Sequence, residues 1–114
     1  MKESAEKRLS KRLSAPVSIE YTLPDGSSNK IVAKNISITG ICLLLPQKIS
    51  IGIKLVITIL MPRGNRNTVI HGEVMWQEKA ERGYITGIHF TQADPLDIEK
   101  IISSVKTGQY FILR

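Results

Sequence analysis

Cysteine is nearly absent: Cys42 stands alone, so the chain closes no internal disulfide and no second thiol completes a thiolate metal site. A single thiol suits a reducing compartment, and the expected location is the cytoplasm. Aromatic residues make up only 5%, which argues against a stacking platform for long single strands of nucleic acid. Long apolar runs are missing as well. A membrane-crossing helix takes about 20 apolar residues, and the longest run, Ile51 to Met61, is interrupted by Gly52, Lys54 and Thr58. The first residues are charged, unlike a secretory signal. Internal repeats and low-complexity segments are absent too.

Catalytic patterns are equally scarce. No H-x-x-x-H, C-x-x-C or nucleophile-elbow spacing occurs, and no glycine-rich phosphate loop opens a helix. His71 and His89 fall on expected strands without a Ser, Cys or Asp at a recognisable spacing. The plain expectation for each is a strand histidine that faces solvent or bonds locally. Asp94, Asp97 and Glu99 suit helix capping better than acid–base work. The expectation is a binding protein, with no enzyme activity, cofactor or metal.

What is present fits one domain with a real core, since the chain has 114 residues and is 42% hydrophobic. The net charge of +6 is unevenly spread: Lys2, Lys7, Arg8, Lys11 and Arg12 against Glu3 and Glu6 put half of it in the first twelve residues. Such a head attracts anions such as phosphates, nucleic acid or an acidic membrane surface. Residues 1–15 hold too little apolar surface to fold alone and are expected to form a flexible basic arm that becomes ordered on meeting the domain or a ligand.

From Pro16 onward the pattern is that of short strands. Val17, Ile19, Tyr21 and Leu23 alternate on one face, Pro24 to Gly26 make a turn, and residues 29–37 return. Residues 40–46 form a continuously apolar strand stopped by Pro46. Leu55, Ile57 and Ile59 share a face opposite Lys54 and Thr58, and a basic loop follows at residues 63–67. Ile70, Val74 and Trp76 alternate on what reads as one face, and Ile88 and Phe90 point inward on the last strand. Asp94 then caps a helix of about residues 94–107 that begins at Pro95, carries Ile98, Ile101, Ile102 and Val105 as its apolar stripe and ends at Gly108. The stripe is expected to cover an open end of the domain, and the apolar residues 110–113 to dock on it or on a partner chain. The fold class is mainly β: six or so short strands read as a small antiparallel barrel or sandwich over residues 16–114, with a C-terminal amphipathic helix.

Two short patterns carry chemistry. Arg8 and Arg12, four apart, can clamp a phosphate or present paired donors to the O6 and N7 acceptors of guanine. In the stretch Asn35 to Gly40, Asn-Ile-Ser-Ile-Thr-Gly, the Asn35 and Ser37 side chains share a face if the strand continues through them. Gly40 permits a left-handed or otherwise tight backbone. On these residues alone, each pattern has a plain alternative: a solvated basic tail, and an Asx- or Ser-stabilised turn without a ligand.

Taken in order, R-x-x-x-R followed about two dozen residues later by N-x-S-x-x-G resembles the PilZ domain family, which binds the bacterial second messenger cyclic di-GMP. The resemblance runs from the arm to about Val105. It takes in residues 72–77, like the family's G-x-V-x-W strand, and residues 84–90, like its G-I-x-F strand. It implies a six-stranded antiparallel β-barrel with a C-terminal helix, and it implies that Arg8 and Arg12 contact guanine and phosphate as the arm wraps over the ligand. Asn35 and Ser37 would bond the guanine edge or a phosphate, and Gly40 would shape the turn and let the ligand approach the backbone. Lys7, Lys11 and Thr39 are supporting positions. Asn35 stands where the family more often has Asp, and an amide accepts through its oxygen only, which lowers affinity without removing the site.

The resemblance implies a cyclic di-GMP receptor whose arm becomes ordered on the ligand and whose changed surface is read by a downstream protein partner or by another copy of the chain. Two other readings remain: a PilZ-fold protein–protein adaptor of motility or pilus machinery that binds no nucleotide, and a basic β-barrel that binds nucleic acid. The scarcity of aromatic residues disfavours the last.

Overall fold

The computed structural model describes residues 17–61 and 66–106. The arm with Lys7, Arg8, Lys11 and Arg12, most of the basic loop, Gly108 and the apolar residues 110–113 lie outside the described residues. The strands in chain order are β1 (Val17–Thr22), β2 (Ser28–Ala33), β3 (Asn35–Ile36), β4 (Gly40–Leu45), β5 (Lys54–Ile59), β6 (Thr68–Ala80) and β7 (Gly83–Gln92), followed by helix α1 (Pro95–Lys106). They form one antiparallel sheet in the order β2-β1-β5-β6-β7-β4-β3.

The two ends of that sheet, β2 and β3, are consecutive in the chain and separated only by Lys34. One broken strand therefore begins and finishes the sheet, which curls into a nearly closed barrel. The break is where the chain leaves β1 and takes up β4, and Lys34 N–H donates to the Cys42 carbonyl at 2.8 Å. The expected single strand over residues 29–37 is thus two pieces. Counting them as one gives the six strands that the sequence pattern suggests.

Alternation decides what fills the barrel. Val17, Ile19 and Tyr21 of β1, Leu55, Ile57 and Ile59 of β5, and Ile88 and Phe90 of β7 are all buried in one core. Helix α1 adds Ile98 and Ile101 to that core, with Ile102 packed against it. Asp94 caps the helix as expected: its carboxylate accepts from Leu96 N–H at 3.0 Å. The helix lies beside the end of the barrel where β5 stops and β6 starts, sharing a cleft with Met61, Thr68 and Val69. At the β1–β2 turn, the Asp25 carboxylate accepts from the Ser27 hydroxyl at 2.7 Å and from Ser27 N–H at 2.9 Å. These two bonds hold the Asp25 carboxyl below the usual carboxylate range.

One expectation that fails is the face of Trp76. Pairing of β6 with β7 runs Val74 to Ile88 and then Trp76 to Gly87, so Met75 is an extra residue with no partner of its own. A bulge of this kind reverses the alternation beyond it. Val74 therefore points into the core and is fully buried, whereas Trp76 is on the outer surface at 42% exposure.

The bulge is flanked by a tied-down loop. Gly52 N–H donates to the Val74 carbonyl at 2.8 Å, and Val74 N–H donates to the Ile53 carbonyl at 2.9 Å. The Gln77 side-chain oxygen accepts from Ile49 N–H at 2.9 Å, and its amide donates to Thr86 Oγ1 at 2.9 Å and to the Gln47 carbonyl at 3.3 Å. One side chain thus joins the β4–β5 loop to both strands of the long hairpin. Gln77→Leu should lower the unfolding free energy by about 1–3 kcal/mol, because it strands the Ile49 N–H. Urea unfolding of the two proteins measures this, and equal midpoints would show that the loop holds without Gln77.

Candidate ligand-binding face

The turn that links β3 to β4 is built from Ser37 to Gly40. Ile36 pairs with Ile41, and Ser37 N–H donates to the Gly40 carbonyl at 2.9 Å, leaving Ile38 and Thr39 as the loop. Tight hairpins usually adopt positive φ at their loop residues. Among the described residues no non-glycine has a positive φ, so this turn needs other support. The Ser37 hydroxyl supplies it: Thr39 N–H donates to Ser37 Oγ at 3.3 Å, and Ser37 Oγ donates to the Gly40 carbonyl at 3.4 Å. Ser37 is fully buried. The alternation that would put it beside Asn35 stops at Ile36, where β3 ends.

Gly40 is glycine for a reason other than a left-handed backbone, since its φ is not positive. A Cβ there would come within 2.5 Å of the Ile88 carbonyl oxygen. The absent side chain lets β4 and the turn lie directly against β7, where Phe90 N–H donates to the Thr39 carbonyl at 2.8 Å.

Register then assembles the outer face. Asn35 is opposite Cys42, Cys42 opposite Gly87, and Gly87 opposite Trp76. Residues paired across strands share a face, so these four form one row across β3, β4, β7 and β6. Between Asn35 and Trp76 the row has only the small, buried Cys42 and Gly87, which has no side chain, so the surface is low there. The indole lies directly on Gly87, where an added Cβ would overlap its ring. The adjacent row runs Gly40, His89, Glu73, Lys54. A groove of about 260 Å³ opens here, lined by Thr39, Gly40, Met75, Trp76, Gly87, Ile88 and His89. Asn35 is half-buried at the opposite end of the first row.

A family model described as the PilZ domain matches residues 6–106. The chain belongs to the PilZ domain family. The match includes the positions of Arg8 and Arg12, the turn and both strands of the long hairpin. No curated protein matches the chain.

Among solved structures, the PilZ fold of this chain is similar to the Bacillus subtilis inhibitor of motility, MotI/DgrA, at 16% identity and TM-score 0.71. The alignment covers 90% of this chain and 51% of that one, so the chain spans about half the length of MotI/DgrA. It is also similar to the PilZ domain of YcgR from Escherichia coli, solved with c-di-GMP, at 17% identity and TM-score 0.68, covering 88% of this chain and 92% of that one. The PilZ domain of CeSA from a cellulose-synthesizing bacterium is 18% identical with TM-score 0.60, covering 87% and 98%. At these identities the likeness is one of fold.

Of the site residues expected from the sequence, Asn35, Ser37, Thr39 and Gly40 of this PilZ domain fall within one hairpin. Asn35 joins the exposed face, whereas the Ser37 hydroxyl is turned into the hairpin loop. Arg8, Arg12, Lys7 and Lys11 lie outside the described residues. Sequence reasoning missed Trp76 and His89 as residues of this face, the first because of the bulge. A signal was available in Gly87: a glycine in mid-strand often marks a place where something approaches the backbone closely. Among the described residues no group of three or more His, Cys, Asp or Glu is placed to hold a metal ion, and no helix is long and apolar enough to cross a membrane.

Trp76 is the only tryptophan, so its fluorescence reports this face directly. Gly87→Ala should lift the indole from its seat, shift its emission to longer wavelength and cost about 1–3 kcal/mol in stability through overpacking. Unchanged emission from the variant would show that the indole does not rest on Gly87.

Proposed function

We propose that this PilZ domain is a receptor for cyclic di-GMP, bound on the outer face between Asn35 and Trp76. The observation that carries the reading is the row across four strands, in which a polar amide and an aromatic ring stand on either side of the small Cys42 beside the turn of the N-x-S-x-x-G motif. A planar base finds there an edge-on hydrogen-bonding partner and an aromatic face. The ligand's two phosphates call for cations, and Arg8 and Arg12 supply forked donors suited both to phosphate and to guanine O6 and N7.

In this reading Arg8 and Arg12 close over the ligand from the arm, with Lys7 and Lys11 adding charge. Ser37 acts chiefly through the turn: it fixes Thr39 and Gly40 so that the face meets the ligand in one shape. Ligand binding orders the basic arm, residues 1–15, against the barrel, residues 16–114, and so changes the surface offered to a partner protein or a second copy. Polymeric nucleic acid is a poorer fit, because among the described residues the face has a single exposed aromatic ring instead of a succession of stacking positions.

Titration calorimetry of the intact chain with cyclic di-GMP tests this, run beside GTP and the Arg8→Ala/Arg12→Ala protein. Binding at micromolar or lower Kd is expected for the wild type, with none for GTP or for the double variant. Arg12→Ala alone should weaken binding by about 30- to 1,000-fold, corresponding to about 2–4 kcal/mol for a central anchor. A flat trace from folded wild-type protein would overturn the reading and leave a PilZ-fold adaptor that works through protein contacts alone.

A further inference from the structure

His89 has an unusual setting for a strand histidine without a catalytic partner. On β7 its neighbours Ile88 and Phe90 point into the core, and its own side chain is exposed on the outer face. Gly87, two residues earlier on the same face, is the seat of Trp76. Across β4 its direct partner is Gly40, which has no side chain to screen it from the turn. The imidazole therefore lines the same groove as Thr39, Gly40 and Trp76.

Among the described residues, the charged groups in the row of His89 lie on one side. Glu73 of β6 is directly opposite it, and Lys54 of β5 is opposite Glu73. On the β4 side Gly40 contributes no charge, and the turn contributes only the Thr39 hydroxyl. Lys54 offsets part of the repulsion that the Glu73 carboxylate exerts on an incoming anion. Histidine is the one side chain whose ordinary titration falls between roughly pH 5 and 8. A phosphodiester keeps its negative charge throughout that range, so the ligand's own charge is constant there.

We propose that His89 is a further ligand-contacting residue of this groove, an imidazolium that adds a charge-assisted bond to a phosphate of the bound cyclic dinucleotide. The inference rests on the cyclic di-GMP reading above and extends it to a residue outside both sequence motifs. Its consequence is that affinity depends on proton concentration. Protonated His89 attracts the anion, so binding strengthens as pH falls and weakens as pH rises; by linkage the bound anion holds the proton more tightly.

Trp76 fluorescence titration of the intact chain with cyclic di-GMP, at pH 6, 7 and 8 and constant ionic strength, tests this. The wild type should bind about 3- to 10-fold more tightly at pH 6 than at pH 8, the scale of one partly solvated ionic contact. His89→Gln should bind as the wild type does at pH 8 and lose the slope. His89→Lys should bind tightly at all three values, because its charge does not titrate there. His71→Gln, on an exposed position facing a different cleft, should keep the wild-type slope. Binding with no slope in the wild type, or a slope that survives in His89→Gln, would overturn the role of His89 and leave the receptor reading standing. No binding by the wild type at any pH would overturn the receptor reading, and this inference with it.

Discussion

A single extra residue in β6 governs the face on which the functional reading depends. Strands alternate with a period of two, so Val74 and Trp76 would share a side if the ladder ran evenly. Met75 has no partner on β7, and beyond it every side chain changes face. Val74 stays in the core while the indole reaches the outer surface and settles on Gly87. Without that irregularity, a large ring would have to fit beside Val74 in the core, and the groove on the outer face would lose its aromatic wall. The backbone groups at the bulge are not left open, because Val74 bonds to Gly52 and Ile53 of the neighbouring loop.

A second constraint acts at the opposite side of the same face. The barrel closes by breaking one strand at Lys34, which passes the chain from β1 to β4. Closure leaves β3 only two residues long, so the chain must reverse at once. The reversal is made tight by Ser37, whose hydroxyl bonds within its own turn, and it is made close by Gly40, which has no Cβ to meet the Ile88 carbonyl. The motif residues thus divide between two tasks. Asn35 presents a side chain to the face; Ser37 and Gly40 fix where the backbone lies.

As the proposed site for cyclic di-GMP, the described face calls for more positive charge than its one ammonium supplies. Its described lining holds hydroxyl, amide, imidazole and aromatic groups, with one carboxylate and one ammonium in the adjoining row. A ligand with two phosphates and two guanines gains most from such a surface when forked cations approach from the side away from the barrel, which is the part the basic head of the chain is suited to play. In that proposal, polar groups on the barrel give orientation, and charge brought by the basic head gives affinity and lets binding alter the protein's surface.

Much of the architecture is set by local chemistry alone. Alternating apolar residues at Val17 to Tyr21 and Leu55 to Ile59 specify strands and their inward faces. Asp94, Pro95 and the stripe from Ile98 specify the helix and its start. The order and spacing of the arginine pair and N-x-S-x-x-G point to the family. Each is legible because it depends on neighbours a few residues away, where one backbone period fixes direction. The face of Trp76, the break at Lys34 and the inward turn of Ser37 belong to the tertiary structure. A bulge is defined only against the partner strand, a barrel closes only when its first and last strands meet, and Gly40 and Gly87 are required because a backbone and an indole from elsewhere in the chain lie against them.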